Sequence, residues 1–154
     1  MDKRKIQIQQ LEPKLALFKQ ASTLPMPPIG WVRAIRTALG MTLEQLAKKM
    51  NSTKQSVSEL ERREKEGAIT LKLLREVAKA LDMDLVYGFV PKAGSLEQHI
   101  DIKAQALAKK IVDRTSHTMK LEDQKNSDSR LEKAFQERLH QIKLDLPKAL
   151  WDLT

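Results

Sequence analysis

The sequence predicts an all-α chain, and three observations carry that expectation. Apolar residues recur at three- and four-residue spacing through most of the 154 positions. Ser or Thr stands three residues ahead of Gln or Glu at the start of several such runs, as at Thr42/Gln45, Ser52/Gln55 and Ser129/Glu132. Only one stretch, LVYGFV from Leu85 to Val90, is β-rich, and Pro91 closes it. That stretch predicts a single short strand, which must pair with the N-terminal arm or with a second subunit.

Residues 1–30 read as an arm and a connector. Ile8, Leu11, Leu15 and Phe18 have helical spacing, and Pro13 suits the first turn of a helix, where its missing amide hydrogen is least costly. STLPMPPIG, Ser22 to Gly30, holds three prolines in four positions and cannot lie inside a helix. Residues 31–84 read as four or five short helices. Val32, Ile35 and Leu39 form the first stripe, ended by Gly40; Leu43, Leu46, Ala47 and Met50 form the second. Val57 and Leu60 anchor the third, and Leu71, Leu74, Val77, Ala78 and Leu81 mark a later one. RREKEGA between them is polar and poorly periodic, which predicts a loop with a helix extension.

Residues 85–95 are the expected strand and linker, and residues 96–154 a C-terminal helical region for dimerisation or partner binding. Its first helix spans roughly residues 96–119, with Ile100, Ala104, Leu107, Ala108 and Ile111 inward. The second begins near Ser129 and carries Leu131, Phe135, Leu139, Ile142 and Leu146. Pro147 ends it and leaves Trp151 as a terminal anchor. Val86, Tyr87, Phe89, Phe135 and Trp151 are the candidate dimerisation residues.

Charge is unevenly spread. The formal net charge is +8, and residues 1–66 carry 13 Lys/Arg against 7 Asp/Glu, whereas residues 67–154 carry 15 against 13. A basic half joined to a nearly balanced one suggests a polyanion-facing part and a part with another task. No apolar run is long enough to span a membrane, and MDKRKIQIQQ has no apolar segment behind its charges, so the expected location is cytoplasmic. Cysteine is absent, which excludes disulfide and thiolate chemistry.

MTLEQLAKKMNSTKQSVSELE, Met41 to Glu61, specifies two short helices rather than one. Thr42 with Gln45, and Ser52 with Gln55, each supply a capping box. Ala47 is small enough to let the second helix cross closely, with Val57 and Leu60 filling the space beside it. A tight turn between crossed short helices is the geometry of a helix-turn-helix. The second helix presents Lys54, Gln55, Ser58 and Glu59 outward, where a recognition helix meets base edges. Arg33, Arg36, Thr42, Lys48, Thr53, Ser56, Arg62, Arg63 and Lys65 are the candidate phosphate contacts.

Residues 31–81 resemble the Cro/C1-type, or XRE, helix-turn-helix regulators, whose fold is lambda-repressor-like with five helices. The matching residues are Gly40-Met41-Thr42, Glu44, Leu46-Ala47, Thr53, Ser56-Val57, Leu60-Glu61 and the later LKLLREVAKAL. In that family a Gln often opens the second helix; Leu43 stands there, so that contact is lost. RREKEGAI is longer than the family's usual turn after the residue matched by Glu61. Over nearly the whole chain, RREKEGAITLKLLREVAKAL, VYGFVPK, RTSHTM, LEDQ and LPKALWDL resemble mobile mystery protein A. The resemblance implies an antitoxin and autorepressor paired with a Fic-domain toxin. Thr118 and Glu122 have the Ser/Thr-x-x-x-Glu spacing of Fic-inhibitory helices, although Asp123 replaces the following Gly or Asn.

No catalytic constellation is present. His99, His117 and His140 are too scattered for a linear metal motif, and the five glycines form no phosphate loop. No cofactor and no metal are expected. The resulting expectation is a homodimeric repressor on an inverted-repeat, double-stranded operator. The alternatives are a stand-alone phage-type repressor, or a toxin-binding inhibitor with weak DNA binding.

Overall fold

Seven α-helices organise the described residues in the computed structural model: α1 (Lys3–Ala16), α2 (Trp31–Ala38), α3 (Leu43–Lys49), α4 (Lys54–Glu66), α5 (Leu71–Ala80), α6 (Leu96–Leu121) and α7 (Asp128–Asp145). The structure describes residues 2–121 and 128–153, the side chains of 118–121 excepted. The chain divides into two units, residues 20–88 and residues 1–19 with 89–154.

The 20–88 unit holds α2 to α5 around Val32, Leu46, Ala47, Val57, Leu60, Val77 and Leu81, all buried. Full burial of one such aliphatic side chain contributes about 1.5–3 kcal/mol. Ile35, Met41, Leu43, Met50, Leu73 and Leu74 pack around that centre. Thr42 forms the expected capping box, accepting from the Gln45 amide while the Gln45 side chain accepts from the Thr42 amide. The cap of α4 differs by one residue from expectation. Thr53, not Ser52, accepts from the Ser56 amide, because Asn51 takes a left-handed φ of 52° and Ser52 is used to close the turn onto the Ala47 carbonyl.

RREKEGA is helix almost to its end. α4 runs through Glu66, and Gly67, at a φ of 75°, supplies the left-handed cap. The period was hidden because core-facing positions are charged: Glu64, like Glu61 just before the stretch, is buried. α5 starts on Thr70, whose side chain accepts from the Leu73 amide.

The expected strand is a correction. Leu85–Val90 is irregular, and the described residues contain no strand at all. β-rich composition suits a pleated surface, but a strand exists only when another backbone offers free amides and carbonyls, and helices satisfy theirs internally. Val86, Tyr87 and Phe89 are exposed. The Tyr87 ring takes the Arg75 guanidinium of α5 at 5.5 Å from its centroid, and the same group donates to its hydroxyl.

The second unit is built on α6 and α7, with Ala104, Leu107, Ala108 and Ile142 buried and Phe135, Leu139 and Leu146 packed against them. Leu150 is the fully buried terminal anchor. Trp151, which was expected in that role, is half exposed and stacks on His99 with ring centroids 5.4 Å apart. The short 3-10 helix Lys148–Trp151 turns one side chain in and the next out. Pro13 also falls elsewhere than expected, in the closing part of α1. There it forfeits the bond that an amide at this position would make to the Gln9 carbonyl, inside the helix.

Polar contacts tie α1 into this unit. The Arg4 guanidinium donates to the carbonyls of Leu146 and Asp145 at 2.6 and 2.7 Å, covering the end of α7. The Glu12 carboxylate accepts from the Glu97 amide at 3.0 Å, at the start of α6. Among the described residues no helix is long and apolar enough to cross a membrane.

Candidate nucleic-acid interface

α3 and α4 are separated by four residues, Met50 to Thr53, and cross at the buried pair Leu46–Ala47 against Val57 and Leu60. α4 is two-faced. Val57, Leu60, Glu61 and Glu64 are buried, whereas Gln55, Ser58 and Arg62 are exposed and Glu59 partly so. The outward positions follow i, i+3, i+4 and i+7 spacing, so they form one stripe opposite the core. At its N-terminal end the Lys54 ammonium lies 4.0 Å from Glu44 of α3.

Eight of the nine candidate phosphate residues divide into three groups. Arg33, Lys48 and Lys65 are exposed. Thr42, Thr53 and Ser56 are exposed too, but their hydroxyls serve the helix starts. The Thr53 hydroxyl donates to Ser56 Oγ at 2.9 Å, besides accepting from the Ser56 amide. Arg62 and Arg63 are exposed and already engaged by carboxylates of their own helix.

Arg36 is a correction. Its side chain is buried, and its Nε and Nη2 donate to the two Glu61 carboxylate oxygens at 2.6 and 3.2 Å. Nη1 donates to the Met41 carbonyl at 2.9 Å, so the fork clamps α2 to α4 and to the turn before α3. With all three nitrogens engaged and the side chain buried, Arg36 is not presented to a phosphate on the surface.

Glu64 is a second internal clamp that sequence reading did not single out. Its carboxylate accepts from the amides of Trp31 and Val32 at 3.0 and 3.2 Å, and so caps α2 from 32 residues away. Burial pushes this carboxyl above its usual value, while the Val32 and Trp31 amides pull it back. Gly30 makes the approach possible. Its φ of 87° suits glycine, and a Cβ there would overlap Glu64 Oε2.

Glu59 was expected to face bases. Its carboxylate accepts from Arg62 and from Arg63 Nε. The Arg62 hydrogen bonds, opposed by partial desolvation and reinforced by Arg63, hold the Glu59 carboxyl at about 2 instead of 4.5. Arg62 is shifted upward in turn by Glu59 and Glu66. Phe135 lies in its own unit's core and Trp151 on His99, while Val86, Tyr87 and Phe89 are exposed. The Thr118/Glu122 pair lies outside the described residues. Among the described residues no group of three acidic or histidine side chains can hold a metal ion.

Residues 32–87, roughly a third of the chain, match the helix-turn-helix family. A Cro/C1-type helix-turn-helix domain is therefore present, with the non-catalytic fold of DNA-binding transcriptional regulators. Comparison with curated proteins and with solved structures returned no match.

Proposed function

We propose that this protein is a sequence-specific DNA-binding repressor that acts on its own promoter as a homodimer. The observation that carries the reading is the exposed stripe of α4, Gln55 to Arg62, set opposite a fully packed face in a helix-turn-helix domain. Gln55 is the residue for adenine through its amide, and Lys54 and Ser58 flank it. Arg33, Lys48 and Lys65, with the helix starts at Thr42 and Thr53, serve the phosphates. One module buries too little surface for tight binding at cellular salt, so two act together on an inverted repeat, with half-site centres about 34 Å apart or a multiple of that. Exposed Val86 and Tyr87 in the one unit, and exposed Phe89 and Trp151 in the other, are the apolar side chains offered for contact with a second copy.

Footprinting on the protein's own upstream DNA tests this reading. Two symmetric protected half-sites are expected; absence of protection at any concentration that protects scrambled DNA rejects it. Gln55→Ala should lower affinity for the footprinted site by about 1–3 kcal/mol and leave scrambled duplex unchanged. Lys48→Ala should weaken both alike and reduce the salt slope by about one.

The resemblance of segments spread over nearly the whole chain to mobile mystery protein A supports a finer reading, an autoregulating antitoxin that holds a Fic-domain toxin through the unit of residues 1–19 and 89–154. Exposed Ile102, Leu144 and Trp151 give that unit apolar side chains for a protein partner. Co-expression with the product of the neighbouring gene should yield a complex stable to gel filtration. Separate elution of the two proteins favours the stand-alone repressor instead.

A further inference from the structure

We propose that Glu59 sets the DNA specificity of this domain by withholding Arg62 from phosphates, rather than by reading a base itself. The inference rests on the DNA-binding reading above and adds what keeps the recognition helix from gripping any duplex. α4 carries four basic residues, Lys54, Arg62, Arg63 and Lys65, against four acidic ones, Glu59, Glu61, Glu64 and Glu66. Glu61 and Glu64 are buried and committed to Arg36 and to the start of α2. The two that remain outside both hold Arg62.

Every nitrogen of the Arg62 fork faces a carboxylate. Nε donates to Glu59 Oε2 at 2.9 Å, Nη2 to Glu59 Oε1, and Nη1 to both oxygens of Glu66 at 2.7 and 2.6 Å. Arg63 Nε also donates to Glu59, at 3.2 Å. Isolated exposed ion pairs contribute little, but these are bidentate and sit at i,i+3 and i,i+4 spacing on a formed helix. Arg62 stands on the outward stripe, seven residues after Gln55 and one helical turn beyond Ser58 and Glu59.

The consequence follows from counterion release. A basic side chain that neutralises one phosphate steepens the dependence of log K on log salt by about 0.9, and does so for every sequence alike. Held between Glu59 and Glu66, Arg62 adds little of this indiscriminate attraction, and the Glu59 charge opposes close approach of any phosphate to the stripe. Discrimination is then left to Gln55 and its neighbours. Glu59 is a positioning residue, acting through Arg62.

The test compares the full chain with Glu59→Gln on its own upstream DNA and on a scrambled duplex, across a salt series. Glu59→Gln should tighten scrambled binding about tenfold, steepen the salt slope by about one, and narrow the ratio between the two DNAs. Adding Arg62→Gln should return scrambled binding to near the parent level, a rescue that a purely structural role would not produce. Glu59→Gln that weakens the upstream site and spares scrambled DNA makes Glu59 a base reader and overturns the proposal. Unchanged affinities and slope overturn it as well. If the parent chain fails to separate upstream from scrambled DNA, the DNA-reading function falls first and this inference with it.

Discussion

Glu61→Ala should destabilise the helix-turn-helix unit by about 3–5 kcal/mol, the range for removing one partner of a buried ion pair. The substitution strands the Arg36 guanidinium, whose Nε and Nη2 now donate to Glu61 at 2.6 and 3.2 Å with almost no access to water. Only the Met41 carbonyl would still accept from it. Replacing both partners together, Arg36→Met with Glu61→Leu, should cost far less, because no charge is left buried without a partner. The two tryptophans allow a clean readout, since Trp31 belongs to this unit and Trp151 to the other. In a Trp151→Phe background, the Trp31 fluorescence melt should fall by at least 10 °C for Glu61→Ala, on the order of 4–8 °C per kcal/mol. A shift below about 2 °C would mean the pair does not hold α2 against α4.

Gly30→Ala should be nearly as severe, at about 2–4 kcal/mol. Two effects combine: a φ of 87° with a ψ of 159° is backbone that only glycine adopts readily, and the new Cβ meets the Glu64 carboxylate. Glu64→Ala alone should cost about 1–3 kcal/mol, by leaving the Trp31 and Val32 amides without their acceptor. Because the second effect of Gly30→Ala needs the Glu64 side chain, the two substitutions should be less than additive in a double-mutant cycle. Strict additivity would place the whole penalty in the backbone.

The same carboxylate carries a pH signature. Its folded-state pKa is raised above the ordinary 4.5, so between those two values the folded chain binds more protons than the unfolded one. The Glu64 contribution is therefore fullest below 4.5 and declines as pH climbs through the raised value. Glu64→Gln keeps an oxygen acceptor for both amides and should flatten that part of the pH–stability curve.

These two clamps mark the boundary of what sequence reading reaches. Leu43, Leu46, Val57, Leu60 and Val77 announce their helices by spacing alone, and Thr42 with Gln45 announces a helix start, because those signals depend on neighbours within one or two turns. RREKEGA hides its helix because Glu64, like Glu61 just before it, occupies an inward position where an apolar residue is the usual marker. Leu85–Val90 misleads in the other direction, having strand composition although the described residues contain no strand.

The sequence by itself determined the helical class, the turn between α3 and α4, and the polar stripe beginning at Gln55. Only the tertiary structure decided which charges are available to a partner. Arg36 and Arg62 are the same residue type in the same basic half, yet one is enclosed by Glu61 across 25 positions and the other is held on the surface by Glu59 and Glu66. Periodicity records which way a side chain leaves its helix, a local property of the backbone. The counter-charge it meets there depends on how distant helices pack, and that is set by the whole fold.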